Sequence, residues 1–127
     1  MEGHLSEEGS VTPEFRRQEA LNFVRGGLED LSISREKKRM DWGIDVPGDD
    51  EHVMYVWLDA LTNYISTLGW PDDSKRNFKA FWEEGETLQL AGKDQIRFQS
   101  IIWQAMLKSA GVKATKNTLS ICGNVHR

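Results

Sequence analysis

The sequence lacks several features that mark specialised classes of protein. It contains one cysteine, Cys122, in 127 residues, which excludes an internal disulfide framework and favours a reducing compartment. No apolar run approaches the roughly 18 residues of a transmembrane helix, and the N-terminal residues lack the apolar segment of a signal peptide. We therefore expect a cytoplasmic protein without membrane contact, with an organellar matrix as the alternative.

Positive charge and metal-ligand clusters are also scarce. Sixteen Lys and Arg residues stand against 20 Asp and Glu, for a net charge of −4, so a general electrostatic attraction to nucleic acid is not expected. Cys122 and His126 have a Cys-x3-His spacing, but two ligands do not make a zinc site. The sequence therefore predicts no metal site.

The overall amino-acid composition indicates one globular domain. The hydrophobic fraction is 39%, and five tryptophans are available for a core or a pocket. Residues 1–12 are polar and are expected to form a flexible lead-in. A helix is predicted over 13–25, with Thr12 as its N-cap, Pro13 at its first position and Gly26-Gly27 at its end.

The rest of the chain alternates between predicted strands and helices. We expect a short strand at 31–34, a loop over 36–52, and a strand at 53–58 buried on both faces. Leu61, Tyr64, Ile65 and Leu68 then mark one face of a helix. A charged surface loop with a short helical turn over 71–86, a strand at 88–91, a helix over 94–110 and a strand at 118–122 follow. This order predicts an α/β fold with parallel strands and right-handed crossovers.

Two predicted strand-to-helix turns are candidates for ligand binding. Ligands of open α/β sheets bind beyond the carboxyl ends of the strands, which places Trp57-Leu58-Asp59 and Gly92-Lys93-Asp94 at one edge. The second turn lacks the glycine and hydroxyl spacing of a phosphate-binding P-loop. Asp94 is either a ribose ligand or a helix cap. Asp59 either caps its helix, which the local sequence favours, or contacts a ligand. Trp57 and Tyr64 form either an aromatic wall or ordinary core packing.

Longer stretches of the sequence resemble a known family. The segments are PEFRRQEALNFVRGGLEDLSISRE, DWGIDVPGDDEHVMYVWLDALTNYISTLGWPDD and LQLAGKDQIRFQSIIWQAMLKSAG. Together they resemble methionyl-tRNA synthetases, which are class I aminoacyl-tRNA synthetases. The likeness runs from about Pro13 to Gly111. It implies that residues 13–127 are the C-terminal half of the catalytic domain, a partial Rossmann-like parallel sheet with crossover helices.

The resemblance also implies roles for individual residues. Gly92 and Asp94 match the positions that hold the ATP ribose, and Arg35 matches an arginine near the reacting carboxylate. Gln104 stands where the family usually has proline. The implied methionine pocket is lined by Trp57, Ala60, Tyr64, Phe98, Gln99 and Trp103. Gln99 stands where the family usually has histidine, so this position forms hydrogen bonds but does not titrate near neutral pH.

The activity that the resemblance implies is ATP-dependent, with Mg²⁺ accompanying ATP. Methionine is activated to methionyl-adenylate and transferred to initiator and elongator methionine tRNA. The family's His-Ile-Gly-His and Lys-Met-Ser-Lys-Ser signatures do not occur in these 127 residues. We therefore expect this chain alone to be an inactive fragment that would associate with the missing half of the catalytic domain. The alternative is a non-catalytic methionine- or adenosine-binding module, or one that docks to proteins through exposed aromatics such as Trp82.

Overall fold

The computed structural model describes residues 1–121, so the predicted Cys122 and His126 pair lies outside the described residues. The helices are α1 (Glu2–Ser6), α2 (Glu14–Arg25), α3 (Val56–Ser66) and α4 (Trp103–Ser109). The strands are β1 (Val11–Thr12), β2 (Ser34–Glu36), β3 (Asp45–Val46), β4 (Asp49–Met54), β5 (Leu88–Gly92) and β6 (Asn117–Ile121). They form a parallel sheet in the order β1-β6-β5 and an antiparallel sheet in the order β2-β4-β3.

The first twelve residues are structured, which corrects the expectation of a flexible lead-in. They form α1 and β1, and the side chains of Leu5 and Val11 are 0% and 2% exposed. Both pack with α2 in one hydrophobic core. Thr12 belongs to β1, and Pro13 occupies the N-cap position of α2, so the prediction of Thr12 as the cap is wrong. The predicted end of this helix at Gly26 is confirmed.

The parallel sheet confirms the predicted strand at 88–91 and its parallel direction. Leu90 pairs with Leu119 in β6, and Val11 pairs with Thr118. Gln89 and Ala91 face the buried side of the sheet, whereas Leu88 and Leu90 are exposed on the opposite side. The predicted last strand is observed as β6, and its predicted final residue, Cys122, lies outside the described residues.

The antiparallel sheet was not predicted. The segment 36–52, expected to be a loop, contains β3 and most of β4. The turn between these strands is Pro47-Gly48, and Gly48 has a φ of 80°, as the third position of a type II turn requires. The strand expected at 31–34 is shifted to β2, which pairs with β4.

The apolar run at 53–58 is a strand end followed by a helix, so the predicted parallel strand is wrong. β4 ends at Met54 and α3 begins at Val56. The helix is favoured because Trp57 joins the spacing of Leu61 and Ile65, so one apolar stripe extends back to the start of α3.

One continuous helical segment crosses the molecule from Lys93 to Ser109. It starts as a 3₁₀ turn (Lys93–Gln95), widens into a π-helix (Phe98–Ile102) and ends as α4, which confirms the helix predicted at 94–110. Its side chains enter two cores. The first contains Leu5, Val11, Ala20, Leu21, Ile96 and Ile101. The second contains Leu61, Ile65, Phe78, Trp82, Trp103 and Leu107.

The segment 71–86 contains the predicted helical turn, as a π-helix over Lys79–Glu83. Trp82 lies in this turn and is 5% exposed, so the expectation of an exposed docking tryptophan is wrong. The neighbouring Phe81 is 63% exposed instead. Within residues 1–121, no helix combines the length and the apolar character needed to cross a bilayer.

Candidate functional site

Two predicted pocket aromatics form a close stack. The ring centroids of Trp57 and Phe98 are 4.0 Å apart, and the ring planes differ by 16°. Trp57 lies in the first turn of α3, and Phe98 opens the π-helical segment. Since carbon atoms in contact are about 3.5–4.0 Å apart, no side chain fits between these rings. A ligand would contact the edges or outer faces of the stack.

A second group of predicted residues adjoins the stack. Gln99 Nε2 donates a hydrogen bond of 3.0 Å to Tyr64 Oη. The Tyr64 ring centroid lies 6.0 Å from that of Trp103, with a tilt of 53°. Trp57, Ala60 and Tyr64 share one face of α3 because they are spaced three and four residues apart. Ala60 is exposed and Tyr64 is 42% exposed, so this side of the group is open to solvent.

Two buried polar atoms in this group have no hydrogen-bond partner within residues 1–121. They are Gln99 Oε1, an acceptor, and Trp103 Nε1, a donor. Gln99 is 5% exposed and Trp103 is 1% exposed. An unpaired buried polar atom costs free energy, on the order of 1–3 kcal/mol. Such atoms are candidates for hydrogen bonds with a bound polar ligand.

Trp103 also lines a neighbouring cavity of about 380 Å³. The cavity lies between α3 and α4, and Leu58, Thr62, Ile65 and Met106 contribute to its mainly apolar wall. Trp103 is the one predicted pocket residue among those that line this cavity.

Gly92 and Asp94 lie at the carboxyl end of β5 and in the 3₁₀ turn that follows. Both are exposed, and no atom lies within 4 Å of where a Gly92 side chain would begin. Gly92 occupies the N-cap position of the turn, so Asp94 is not its N-cap. Asp94 instead lines a cavity of about 350 Å³, to which Lys93 and Arg97 also contribute.

Arg35 lies in the antiparallel sheet, away from β5 in the topology. Its Nη1 donates hydrogen bonds to the carbonyls of Ser32 (2.9 Å) and Ser34 (2.7 Å). Its guanidinium carbon lies 3.8 Å from the ring centroid of Tyr55, a distance typical of a cation–π contact. Tyr55 is the N-cap residue of α3, so this contact fixes Arg35 beside the start of the pocket helix.

The structure corrects the argument that placed both candidate turns at one sheet edge. Trp57-Leu58-Asp59 lies inside α3 and does not follow a strand of the parallel sheet. Asp59 is in the first turn of α3 and is exposed, and the N-cap is Tyr55, so the prediction of Asp59 as a cap is wrong. Trp57 still reaches the helix that follows β5, through its stack on Phe98.

Across residues 1–121, no three or more His, Cys, Asp or Glu side chains are gathered in an arrangement that could hold a metal ion.

Comparison with known proteins identifies the family. The model of the family described as "tRNA synthetases class I (M)" matches residues 1–122. The chain belongs to the methionyl-tRNA synthetase family of class I synthetases. The methionine–tRNA ligase of Mycobacterium bovis is 50% identical to it over 103 residues, and that of Mesorhizobium japonicum is 45% identical over 115 residues.

A solved structure extends this match to three dimensions. The Mycobacterium tuberculosis methionyl-tRNA synthetase bound by methionyl-adenylate superposes with a TM-score of 0.83 at 43% identity, and the match covers 94% of this chain. The α/β, Rossmann-like fold class predicted from the sequence is therefore confirmed. The chain spans only 19% and 21% of the lengths of the two ligases. The matched regions cover 81% and 91% of this chain. It spans 23% of the solved chain.

Proposed function

We propose that the chain is part of a methionine–tRNA ligase that activates methionine with ATP and transfers it to tRNA. The observation that supports this best is the meeting of α3 with the π-helical segment. That meeting joins the Trp57–Phe98 stack to the hydrogen-bonded Tyr64 and Gln99. The M. tuberculosis relative was solved with methionyl-adenylate, the intermediate of such an activation.

The methionine side chain would contact the aromatic group. A thioether is polarisable and gains about 0.3–1.5 kcal/mol from each contact with an aromatic ring, so Trp57, Tyr64, Phe98 and Trp103 suit it chemically. Ala60 leaves room on the exposed face of α3. Gln99 Oε1 and Trp103 Nε1 offer one acceptor and one donor for polar groups of the ligand.

The nucleotide and carboxylate would be held at the two ends of this group. Asp94 would accept hydrogen bonds from the ATP ribose hydroxyls, and Gly92 would let the nucleotide approach the backbone closely. The guanidinium of Arg35 would lower the repulsion between the methionine carboxylate and the α-phosphate. ATP would enter with Mg²⁺ as a substrate, and initiator and elongator methionine tRNA would accept the methionyl group. The cytoplasm, or an organellar matrix, is the compartment we propose.

The parallel sheet supports the proposal that the chain, including β1 from its first twelve residues, forms half of a catalytic domain. Parallel sheets in α/β proteins are covered on both faces, whereas Leu88 and Leu90 of β5 are 61% and 58% exposed on one face. We propose that the remainder of the catalytic domain covers this face. Leu88→Lys combined with Leu90→Lys would then abolish association with the complementary part of a homologous ligase, and the same change at Phe15 would not.

The first experiment measures methionine-dependent exchange of pyrophosphate into ATP. The 127-residue chain alone contains neither phosphate-binding signature, and loss of even one transition-state hydrogen-bond donor costs about 10²–10³ in rate. We expect no exchange by the chain alone. Clear exchange would contradict the proposal that the other half of the domain is required.

The second experiment is calorimetry with methionine and with adenosine. It addresses the alternative of a non-catalytic binding module, which is favoured by a pocket assembled without phosphate-binding signatures. Binding of methionine without exchange activity, even in the presence of the complementary half, would support the module. No heat at millimolar methionine would contradict a methionine site in this chain.

A further inference from the structure

Gln104 is a fully buried amide with hydrogen bonds on both sides. It is 1% exposed and lies in the first turn of α4, directly after the π-helical segment. Its Nε2 donates to the backbone carbonyl of Gln99 at 3.0 Å and to the hydroxyl of Thr115. Its Oε1 accepts a hydrogen bond of 3.0 Å from the Thr115 backbone amide. One side chain therefore joins two backbone segments.

The joined segments are the π-helix and the residues that lead into β6. Thr115 is 2% exposed, so neither Gln104 nor Thr115 can replace the hydrogen bonds between them with bonds to water. Hydrogen bonds in a π-helix run from residue i to residue i+5, an arrangement that occurs as short segments and often at functional sites. Gln104 lies one turn further along the same continuous helix, and its side chain donates to a carbonyl of the π-helical segment.

The carbonyl that Gln104 holds belongs to Gln99. The Gln99 side chain points to the pocket, where its Nε2 donates to Tyr64 Oη at 3.0 Å. Residue 99 is thus fixed at its backbone by Gln104 and at its side chain by Tyr64. The bonds form one chain from Thr115 through Gln104 and Gln99 to Tyr64.

We infer that Gln104, together with Thr115, is a positioning residue for the methionine pocket. It fixes the backbone at Gln99, and thereby the place of the Gln99 amide and the Tyr64 ring. The identity of the ligand rests on the proposed function, but the positioning itself is a property of the free protein. Gln104 makes no contact with substrate in this role.

Ser100 provides a matched control in the same segment. It is 0% exposed, and its hydroxyl donates to the Ile96 carbonyl at 2.5 Å. Its removal by Ser100→Ala deletes a buried hydrogen bond one residue from Gln99. That bond stays within one helical turn and joins no second segment. Ser100→Ala therefore removes a buried hydrogen bond of the helix but leaves the chain of bonds from Thr115 to Tyr64 intact.

The test observes the tyrosine rings directly. The sequence has two tyrosines, Tyr55 and Tyr64, so ring ¹³C-labelled protein gives two sets of NMR signals. We expect Gln104→Met, which conserves volume but cannot donate, to shift the Tyr64 signals and leave those of Tyr55 in place. Ser100→Ala should shift neither. Unchanged Tyr64 signals in folded Gln104→Met protein would overturn the inference.

A second variant keeps the test decisive if Gln104→Met does not fold. Thr115→Val removes one hydroxyl and retains the backbone amide that donates to Gln104, so it weakens the same link more gently. It should shift the Tyr64 signals in the same direction and by less. A folded Thr115→Val protein whose Tyr64 signals match those of the wild type would overturn the inference.

Methionine titration then separates this inference from the proposed function. We expect methionine to bind Gln104→Met about three- to tenfold more weakly than wild type, the range for loss of one hydrogen bond, and to bind Ser100→Ala unchanged. Equal affinity in Gln104→Met and wild type would contradict positioning of the pocket. If wild type itself binds no methionine, the proposed methionine site in this chain is contradicted, and the tyrosine signals still decide the positioning.

Discussion

Replacement of Trp82 tests whether this residue is a core side chain or a docking side chain. Its ring centroid lies 6.1 Å from that of Trp103, nearly perpendicular to it, and 6.5 Å from that of Phe78. Its Nε1 donates to the Lys113 carbonyl at 3.0 Å. Lys113 in turn donates from Nζ to the Glu83 carbonyl at 2.7 Å, so the π-helical turn and the loop before β6 are joined twice.

The size of the effect follows from these contacts. Truncation of a buried tryptophan to alanine costs about 3–5 kcal/mol of unfolding free energy, and Trp82 is 5% exposed. Trp82→Phe keeps an aromatic ring in the core but loses the N–H donor. The hydrogen bond to the Lys113 carbonyl is only partly buried, and we expect the phenylalanine variant to lose about 1–2 kcal/mol.

Urea unfolding followed by far-UV circular dichroism measures both variants without relying on tryptophan emission. Phe81→Ala is the control, because Phe81 lies in the same turn and is 63% exposed. We expect it to change the unfolding free energy by less than about 0.5 kcal/mol. If Trp82→Ala costs no more than Phe81→Ala, Trp82 is not a core residue and the docking hypothesis is restored. If Trp82→Ala is too unstable to give a native baseline, the unfolding free energy of Trp82→Phe is compared with that of Phe81→Ala instead.

Three further predictions address the site, a charge and a turn. Trp57→Ala should weaken methionine binding about two- to tenfold, and Trp42→Ala, at a residue 67% exposed, should not; equal losses in calorimetry would contradict the pocket. The hydrogen bond from Arg17 lowers the pKa of Glu14 to about 2. The stability that Glu14 contributes is therefore complete above its ordinary pKa of 4.5 and is lost as the pH falls towards 2, and a carboxyl NMR titration with a midpoint near 4.5 would disprove this. Gly85→Ala should destabilise by about 1–3 kcal/mol, because its Cβ would lie 2.6 Å from a backbone carbonyl oxygen, and an unchanged melting temperature would show that the backbone yields.

The local sequence was sufficient to predict the ends of elements where a single residue stops the helix or strand. Gly26 ends α2, and β5 passes into a helix at Gly92, as the sequence predicted. The run from Val53 to Leu58 gave no such signal, because short apolar runs suit a buried strand and a buried helix equally. In the structure, Trp57 lies four residues before Leu61 on the buried face of α3, which favours the helix. The strands that pair with β4 come from other parts of the chain, so a local pattern does not predict them.

In the candidate site, too, local spacing predicts some features, whereas contacts between distant segments could not be predicted. The shared face of Trp57, Ala60 and Tyr64 follows from helical spacing, and the resemblance supplied the residues that face them. The buried bonds of Gln104 were not predictable, because Thr115 is eleven residues away and becomes a partner only when β6 joins the sheet. A lone glutamine in a helix predicts neither burial nor a partner.

The π-helical segment explains how one helix serves both cores. Residues seven apart in a regular α-helix differ by only about 20° in direction, so Ile96 and Trp103 would face the same core. They belong to different cores instead, and the π-helix Phe98–Ile102 lies between them. Its wider turn holds more residues, which rotates Trp103 away from Ile96 and towards α3. The same widening occurs at Phe98 and Gln99, the two residues that meet Trp57 and Tyr64. The change of helical geometry therefore builds the candidate pocket and separates the two cores in a single step.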